Sequence, residues 1–232
     1  MLSIPTYNER DNIATLVSRI RGAVGDEPIL FIDDNSPDGT AEEIRRIQAS
    51  DPNIHLLARP GKAGFGSACR DAMKKTLREN LADYLIQMDA DLSHPPELLP
   101  TMIEMLQSHP VVIGSRYIAG GGANGWDARR HFLSFGANLY ARTLTGIPAH
   151  DLTAGFVGYR SEALRRIDLD SIRTEGYAFQ MEMKFCLHKA GVPFAEFPIT
   201  FHERNAGKSK FTSKILFEGI RFPLKALGRR FS

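Results

Sequence analysis

The stretch that decides the fold is Asp83-Tyr84-Leu85-Ile86-Gln87-Met88-Asp89-Ala90-Asp91, which is followed directly by Leu92-Ser93-His94-Pro95-Pro96. Residues 83–88 are short and apolar enough for a buried parallel strand, and the prolines break the chain after it. Asp89 and Asp91 therefore project from a strand tip, where open α/β sheets form their ligand crevice. Oxygen ligands there suit a magnesium or manganese ion (Mg²⁺ or Mn²⁺) that carries a nucleotide diphosphate. The alternative is that both residues cap a helix or make a turn.

Strands and helices alternate on both sides of this stretch. Apolar runs predict strands at 1–5, 28–32, 54–58 and 111–114, and helical spacing predicts helices at 11–24, 41–49, 66–79 and 97–107. Because right-handed crossovers place helices on both faces of a sheet, this alternation predicts a parallel, doubly wound α/β fold. About the first hundred residues therefore resemble a nucleotide-binding half.

The pattern changes after Ser115. Residues 119–126 contain four glycines, which predicts a mobile loop without regular structure that could close over a substrate. Further helices are expected at 131–145 and 179–190, and further strands at 156–159 and 194–201. No long linker or repeat divides the chain, so we expect one main domain over 1–212 and a separate C-terminal helix over 213–232.

Composition excludes several classes of protein. Lys and Arg number 29 against 27 Asp and Glu in 232 residues, and this net charge of +2 is too small to predict a nucleic-acid partner. Cys69 and Cys186 stand far apart, so neither a disulfide framework nor a zinc site is expected, and a reducing cytoplasmic environment is the default. No apolar stretch approaches the roughly 18 to 20 residues of a membrane span, and no signal-peptide pattern opens the chain.

The C-terminal segment is basic and amphipathic. One helical face collects apolar residues and the opposite face basic ones: Leu216, Ile220, Leu224, Leu227 and Phe231 against Lys214, Arg221, Lys225 and Arg229. Such a helix could lie on an anionic membrane surface. It could equally pack on the domain with its basic side in water, because surface helices of globular proteins share the pattern. Both interpretations stay open.

Two further loops are expected at the same sheet edge as Asp89. Residues 4–9 follow the first strand, and residues 33–40 follow the second. Asp33 and Asp34 would be costly there unless they are solvated, paired or in contact with a ligand. Asp38-Gly39-Thr40, by contrast, is typical of a turn that runs into a helix.

Eight segments resemble a known family, in order and at sensible spacing from residue 4 to about 212. Segments 4–9, 33–40, 62–66 (Lys62-Ala63-Gly64-Phe65-Gly66) and 88–95 are similar to the signatures of family 2 GT-A glycosyltransferases. Segments 114–117, 151–156, 176–180 and 201–210 resemble dolichol or polyprenol phosphate mannose synthases. This resemblance implies the Rossmann-like GT-A fold, a doubly wound mixed sheet with helices on both faces.

The resemblance also implies a reaction and a donor site. It implies inverting transfer of mannose from GDP-mannose to a polyprenyl phosphate, with Mg²⁺ or Mn²⁺ held by Asp89 and Asp91. The donor contacts that it indicates are Pro5, Tyr7, Glu9, Ile32, Asp34 and Ala90, with Lys62 as a candidate for the diphosphate. Relatives often carry Gln where Ser93 stands, so a third protein ligand is in doubt there, and water or His94 could replace it.

The acceptor calls for cations rather than a base, because a phosphate monoester has a second pKa of about 6 and is largely dianionic at neutral pH. The candidates are Arg116, Arg129, Arg130, Arg204, Lys208 and Lys210. Arg204 and Lys210 gain weight because they stand in a family-like motif, and Arg204 is the predicted catalytic cation. Gln180 is a better sugar or acceptor contact than Glu182. Asp151 either supports the turn at 153–155 or contacts the sugar hydroxyls.

Two alternative functions remain at this stage. One is transfer of glucose from UDP-glucose, or of another sugar, to the same lipid phosphate. The other is a non-catalytic sugar-nucleotide-binding subunit, whereas a nicotinamide dehydrogenase is disfavoured because no Gly-x-Gly-x-x-Gly follows the first strand. The lipid acceptor predicts peripheral attachment at the cytoplasmic face of a membrane, with a membrane-anchoring partner as a further possibility.

Overall fold

A computed structural model describes residues 1–202 and 213–230. The strands are β1 Leu2–Thr6, β2 Ile29–Asp33, β3 Ile54–Ala58, β4 Tyr84–Gln87, β5 Val111–Ser115, β6 Gly122–Asn124, β7 Val157–Arg160, β8 Ala195–Pro198 and β9 Thr200–His202. The α-helices are α1 Arg10–Val24, α2 Thr40–Gln48, α3 Phe65–Glu79, α4 Leu99–Leu106, α5 Ala128–Thr145, α6 Ser161–Leu164, α7 Gly176–Lys189 and α8 Ser213–Arg230. Short 3₁₀ turns cover Pro96–Leu98 and Leu169–Ser171.

Seven strands form one mixed sheet in the order β3-β2-β1-β4-β7-β5-β8. All neighbours are parallel except β7, which runs antiparallel to both β4 and β5. The expected doubly wound mixed sheet is therefore confirmed. The parallel prediction made from alternation alone is wrong only at β7, since a strand that pairs antiparallel on both sides carries the same apolar composition when it is buried.

Helices cover both faces of the sheet. Burial on both faces explains why the sequence of β2 is apolar at successive positions. Leu30 and Ile32 belong to the core beneath α3 and α7, whereas Ile29 and Phe31 belong to the core beneath α1 and α4. Because successive side chains of a strand point to opposite faces, a strand that is covered twice needs apolar residues at every position.

The glycine-rich segment is partly regular, so the prediction of a mobile loop is wrong for its centre. Strand β6 pairs in parallel with β9, and the amide of Gly122 donates to the carbonyl of Ile199 at 2.9 Å. A Cβ at Gly121 would lie 2.5 Å from the carbonyl oxygen of Ser115. Glycine therefore allows close approach of two backbone segments here, a use that composition cannot distinguish from flexibility.

The strand expected at 194–201 divides between two sheets. Strand β8 pairs with β5 in the large sheet, and β9 leaves it to pair with β6. Between them the amide of Ile199 donates to the carbonyl of Ser115 at 3.0 Å. The apolar run continues through this crossing, so periodicity gave no sign of it.

Helix α8 packs on the domain through a narrow strip. Phe222 and Ala226 are buried, and the Phe222 ring meets Phe185 of α7 edge-on at 6.0 Å. Ile220, Leu224 and Leu227 are on the outside instead, and the side chains of Leu216 and Phe231 lie outside the described residues. No helix within the described ranges is long and apolar enough to cross a membrane.

Candidate functional site

A cavity of about 220 Å³ opens at the ends of β1, β4 and β5. Its wall brings together seven of the predicted site residues, which are Pro5, Glu9, Asp89, Ala90, Asp91, Arg116 and Gln180. Arg130, a further candidate for the acceptor phosphate, also lines it. Arg204, Lys208 and Lys210 lie outside the described residues.

Asp89 and Asp91 differ in how they meet this cavity. The Asp89 side chain is 29% exposed, whereas Asp91 is only 5% exposed. Asp91 Oδ1 accepts from the amide of Ser93 at 3.1 Å across Leu92, whose φ of +63° is left-handed. Both carboxylates nevertheless line the cavity, and Asp91 is the more enclosed of the two. A carboxylate held in this way needs little rearrangement to bind a ligand.

His94 supports this turn. Its Nδ1 accepts from the amide of Asp89 at 3.0 Å, and its Nε2 lies 3.9 Å from Asp89 Oδ2. The ring stacks on Phe156 at 5.4 Å. The Ser93 hydroxyl is buried and has no hydrogen-bond partner among the described residues.

A second cluster beside the cavity contains three further predicted donor contacts, which are Tyr7, Asp34 and Lys62. The Lys62 ammonium lies 3.8 Å from the centre of the Tyr7 ring, so Lys62 stands with Tyr7 rather than along the cavity wall. Asp34 forms an ion pair with Arg59 and accepts from the amide of Gly64 at 2.9 Å. The next residue, Phe65, lines the cavity, which makes the cluster and the cavity neighbours.

Two residues at the end of β2, Asp33 and Ile32, make contacts inside the fold rather than in the cavity. Asp33 accepts from the hydroxyls of Thr6 and Ser36 at 3.1 and 2.5 Å, so its charge is satisfied inside the fold. Ile32 is fully buried in the core, and only its backbone reaches the loop, where its carbonyl accepts from Thr6 at 3.3 Å. The turn at 38–40 is confirmed, because Asp38 Oδ1 accepts from the amide and hydroxyl of Thr40 at 3.0 and 2.6 Å.

Arg116 and Asp151 form a buried ion pair behind the cavity wall. The Asp151 carboxylate accepts from Arg116 Nε at 2.7 Å and from its Nη2 at 2.8 Å. Burial alone would raise the pKa of Asp151, but the guanidinium charge and its hydrogen bonds hold that pKa below its usual range. Asp151 is fully buried and does not line the cavity, so it supports the fold rather than a sugar.

Gln180 and Glu182, both on α7, have different surroundings. Gln180 lines the cavity at 2% exposure, and neither its amide oxygen nor its nitrogen has a hydrogen-bond partner among the described residues. Such a group loses its hydration without compensation until a ligand supplies partners. Glu182 instead accepts from the amides of Arg173 and Thr174, both at 3.0 Å, and so closes a loop.

Several residues in or beside the cavity were not among the predicted site residues, including Trp126, Glu175 and Arg59. Trp126 lines the cavity with the Arg130 guanidinium 4.4 Å from its ring centre, and a lone tryptophan among glycines beside two arginines could have indicated it. Glu175 accepts from the amides of Gly66 and Ser67 at 2.7 and 3.1 Å, which closes the start of α3. No pattern in the sequence signals Arg59, the partner of Asp34.

Two comparisons of sequence identify the family. Residues 2–168 match the family described as Glycosyl transferase family 2. The chain is 41% identical over 217 residues to the undecaprenyl-phosphate mannosyltransferase of Micrococcus luteus, covering 94% of this chain and 89% of that protein. It is 39% identical over 222 residues to the polyprenol monophosphomannose synthase of Mycolicibacterium smegmatis, covering 95% and 83%.

Solved structures share the fold. The glucosyl-3-phosphoglycerate synthase of Mycobacterium tuberculosis in complex with UDP superposes with a TM-score of 0.69 at 16% identity, covering 98% of this chain and 79% of that one. Its complex with Mn²⁺ and UDP-glucose gives a TM-score of 0.68 at 16% identity, with 98% and 78% covered. This likeness concerns the GT-A architecture, and the sequence matches carry the assignment further: the chain belongs to glycosyl transferase family 2.

Proposed function

We propose that this enzyme is an inverting mannosyltransferase that moves mannose from GDP-mannose to a polyprenyl phosphate at a membrane surface. The observation that supports this most is a single cavity with Asp89 and Asp91 in its wall together with Arg116 and Arg130. A carboxylate pair suits a metal-bound diphosphate, and guanidinium groups suit a phosphate acceptor. The names of the M. luteus and M. smegmatis relatives, at 41% and 39% identity, point to the same acceptor class.

The proposed cofactor is Mg²⁺ or Mn²⁺, bound by Asp89 and Asp91. Among the described residues no group of three or more His, Cys, Asp or Glu could hold an ion alone. Two carboxylates fit nevertheless, because Mg²⁺ is commonly bound by one or two carboxylates together with substrate phosphates and water. When bound, the ion supplies positive charge where the leaving diphosphate becomes more negative.

The proposed chemistry needs no protein base. An oxygen of the acceptor phosphate attacks the anomeric carbon and forms the new bond. The bond from that carbon to the donor diphosphate breaks on the opposite side, which inverts the configuration, and the nucleoside diphosphate leaves with the electron pair. Arg130 would orient the acceptor, with Arg116, Arg204, Lys208 and Lys210 as further proposed cations.

A donor screen tests this proposal. GDP-mannose, UDP-glucose and related sugar nucleotides are titrated into the protein by calorimetry with Mg²⁺ or Mn²⁺, and each is then assayed for transfer to a short polyprenyl phosphate. We expect metal-dependent binding and transfer for GDP-mannose. If transfer from UDP-glucose were preferred, UDP-glucose would replace GDP-mannose as the proposed donor. Binding without any transfer would support a non-catalytic subunit.

Gln180 gives a prediction with opposite effects on stability and on activity. In Q180L a buried amide is replaced by an apolar group, so the free energy of unfolding should stay unchanged or rise by about 1 kcal/mol. The same variant should lower kcat/KM about 10- to 100-fold, because a hydrogen bond to sugar or acceptor is lost. Thermal unfolding and transfer kinetics measure the two effects, and unchanged kinetics would remove Gln180 from the site.

An exposed apolar surface supports attachment to a membrane. Helices α5 and α8 pack together, and Tyr140 Oη donates to the Ile220 carbonyl at 3.1 Å. The α5–α8 apolar surface consists of side chains that are at least half exposed, namely Phe132, Leu133, Phe135, Leu139, Phe217, Ile220 and Leu224. Apolar patches of this kind mark interaction sites, and exposed Arg221 and Lys225 on α8 suit anionic lipid headgroups. This surface supports the proposal of peripheral attachment to a membrane; the cytoplasmic face and a membrane-anchoring partner are further parts of the proposal that come from the sequence.

Substitutions on this surface test the attachment. The double variant I220Q/L224Q should lower sedimentation with anionic liposomes about tenfold, because two apolar side chains that would move from water into the lipid are lost. Both residues are exposed, so the unfolding temperature should not change. The matched control is L81Q, which alters an exposed leucine in the turn after α3. Equal sedimentation of all three proteins would refute a role for this surface.

A further inference from the structure

Lys184 is a fully buried lysine in the middle of α7. Its ammonium nitrogen donates to the carbonyls of Leu152 and Ala154 at 3.2 and 3.0 Å. Lysine is almost never fully buried, because taking its charge out of water is expensive unless partners compensate. The position is therefore unusual, and no step of the proposed reaction uses it.

The two carbonyls belong to a segment that forms one wall of the cavity. Thr153, Ala154 and Gly155 line it, and Thr153 Oγ1 accepts from Arg116 Nη2 at 2.8 Å. A Cβ at Gly155 would lie 3.8 Å from Asp89 Oδ1, so this backbone lies close to the carboxylate as well. The shape of residues 151–155 therefore affects both halves of the cavity.

Several other contacts hold this segment as well, among them the Arg116–Asp151 ion pair and the amide of Asp151, which donates to Glu196 Oε1 at 3.1 Å. Asn138 Oδ1 accepts from the amide of Leu152 at 2.8 Å, and Gln87 Nε2 donates to the carbonyl of Gly155 at 3.2 Å. Lys184 holds the two carbonyls that flank Thr153. Between them, the Thr153 hydroxyl accepts from Arg116 Nη2 at 2.8 Å and from Asn138 Nδ2 at 3.2 Å, and it donates to Asp151 Oδ1 at 3.2 Å.

Charges alternate from the cavity toward the core. Arg116 faces the cavity, Asp151 is paired with it, and Lys184 lies behind them. Burial lowers the pKa of Lys184 to about 7; Asp151 and Glu196 raise it, and Arg116 lowers it further. Asp151 neutralises Arg116, and Glu196 adds a second negative charge, so these groups are neutral together when Lys184 is protonated and net negative when it is not. An arriving phosphate dianion would therefore favour the protonated lysine.

We propose that Lys184 is a positioning residue that helps to fix residues 151–155, and through them Arg116, so that Arg116 meets the acceptor phosphate in a defined orientation. The inference rests on the proposed function for the identity of that phosphate. The fixing of the segment itself does not depend on any substrate. Lys184 does not contact the substrates, so its removal should act on the acceptor step and leave donor binding intact.

The test compares K184M with wild type, and K189M serves as the control because Lys189 is exposed at the end of the same helix. In K184M, hydrogen exchange of the amides in 151–156 should become at least about fivefold faster, since two charge-assisted hydrogen bonds are lost. The KM for a short polyprenyl phosphate should rise by at least about fivefold, while the Kd for GDP-mannose with Mn²⁺ stays within about twofold. K189M should match wild type throughout.

A pH series provides a readout that a purely structural role would not move. Between about pH 6 and about pH 8.5 the acceptor KM of wild type should rise relative to that of K184M, because Lys184 loses its proton in this range. Protection of 151–156 in wild type should fall over the same range after correction for intrinsic exchange. The pH dependence of exchange in wild type needs no variant, so it tests the role of Lys184 even if K184M fails to fold.

Three outcomes separate the two proposals. Unchanged exchange and unchanged acceptor KM in K184M would overturn the role of Lys184 while transfer by wild type upholds the proposed function. Faster exchange in K184M with no transfer by wild type would uphold the positioning of the segment and overturn the proposed function. Equal losses of donor and acceptor binding in K184M would also overturn the inference, because they indicate general damage.

Discussion

Replacing Asp91 by Asn is expected to lower the rate of transfer by at least about 10³-fold, because a metal ion contributes several kcal/mol to a charged transition state and each 1.36 kcal/mol is tenfold in rate. Asn retains an oxygen that can accept from the amide of Ser93, so the turn at 91–93 should survive. The variant therefore removes the charge and keeps the local fold. Replacement by Ala would remove both together.

Two measurements isolate the effect of D91N. Calorimetric titration of GDP with Mn²⁺ should show that metal-dependent binding is lost, and circular dichroism should show an unfolding temperature close to that of wild type. D26N is the matched control, because Asp26 is an exposed aspartate in the turn between α1 and β2. Near-normal transfer by D91N at saturating Mn²⁺ would contradict the assignment of Asp91 as a metal ligand.

The sequence predicted the position of the carboxylate pair but not how enclosed Asp91 is. An apolar run followed by Asp-x-Asp and a Pro-Pro break specifies a strand that ends at the crevice, and β4 does end at Gln87. Asp91 accepts from the amide of Ser93 across Leu92, whose backbone is left-handed. Leucine rarely adopts this conformation, so no residue preference could reveal it.

Partners from distant parts of the chain were the least predictable feature. The sequence indicated that Asp34 needs solvent, a partner or a ligand, and Arg59 supplies the partner from the end of β3. Lys184 stands far along the chain from Leu152 and Ala154, and only the packing of α7 beneath residues 151–155 brings them together. Local patterns fix the elements, whereas such pairs depend on how the elements pack.

The resemblance to family 2 glycosyltransferases was confirmed where the comparisons reach, and the fold was confirmed with it. The basic segment after Phe201 stays a prediction, since Arg204 and Lys210 lie outside the described residues. The helix at 213–230 packs on the domain through Phe222 and Ala226, while Ile220, Leu224 and Leu227 are exposed. Its attachment to a membrane surface stays a prediction.

Replacing Asp151 by Asn should lower the free energy of unfolding by about 3–5 kcal/mol, the range measured when one partner of a buried ion pair is removed. Arg116, whose side chain is 8% exposed, would keep its charge without a carboxylate, and Lys184 would face it from behind. The pKa of Asp151 lies below its usual range, so the carboxylate contributes stability above the ordinary value of about 3.9 and loses it as pH falls through the folded value. Wild type and D151N should therefore differ fully at neutral pH and converge in acid.

Chemical denaturation of D151N at neutral and acid pH measures this difference, and two further variants decide its cause. D170N breaks the exposed pair between Asp170 and Lys74 and should leave stability unchanged, because water screens that pair. R116M/D151L removes both charges of the buried pair and should be more stable than D151N, since no uncompensated guanidinium remains. If D151N instead matched wild type, or if the double variant lost still more stability, the buried pair would not be what fixes this wall of the cavity.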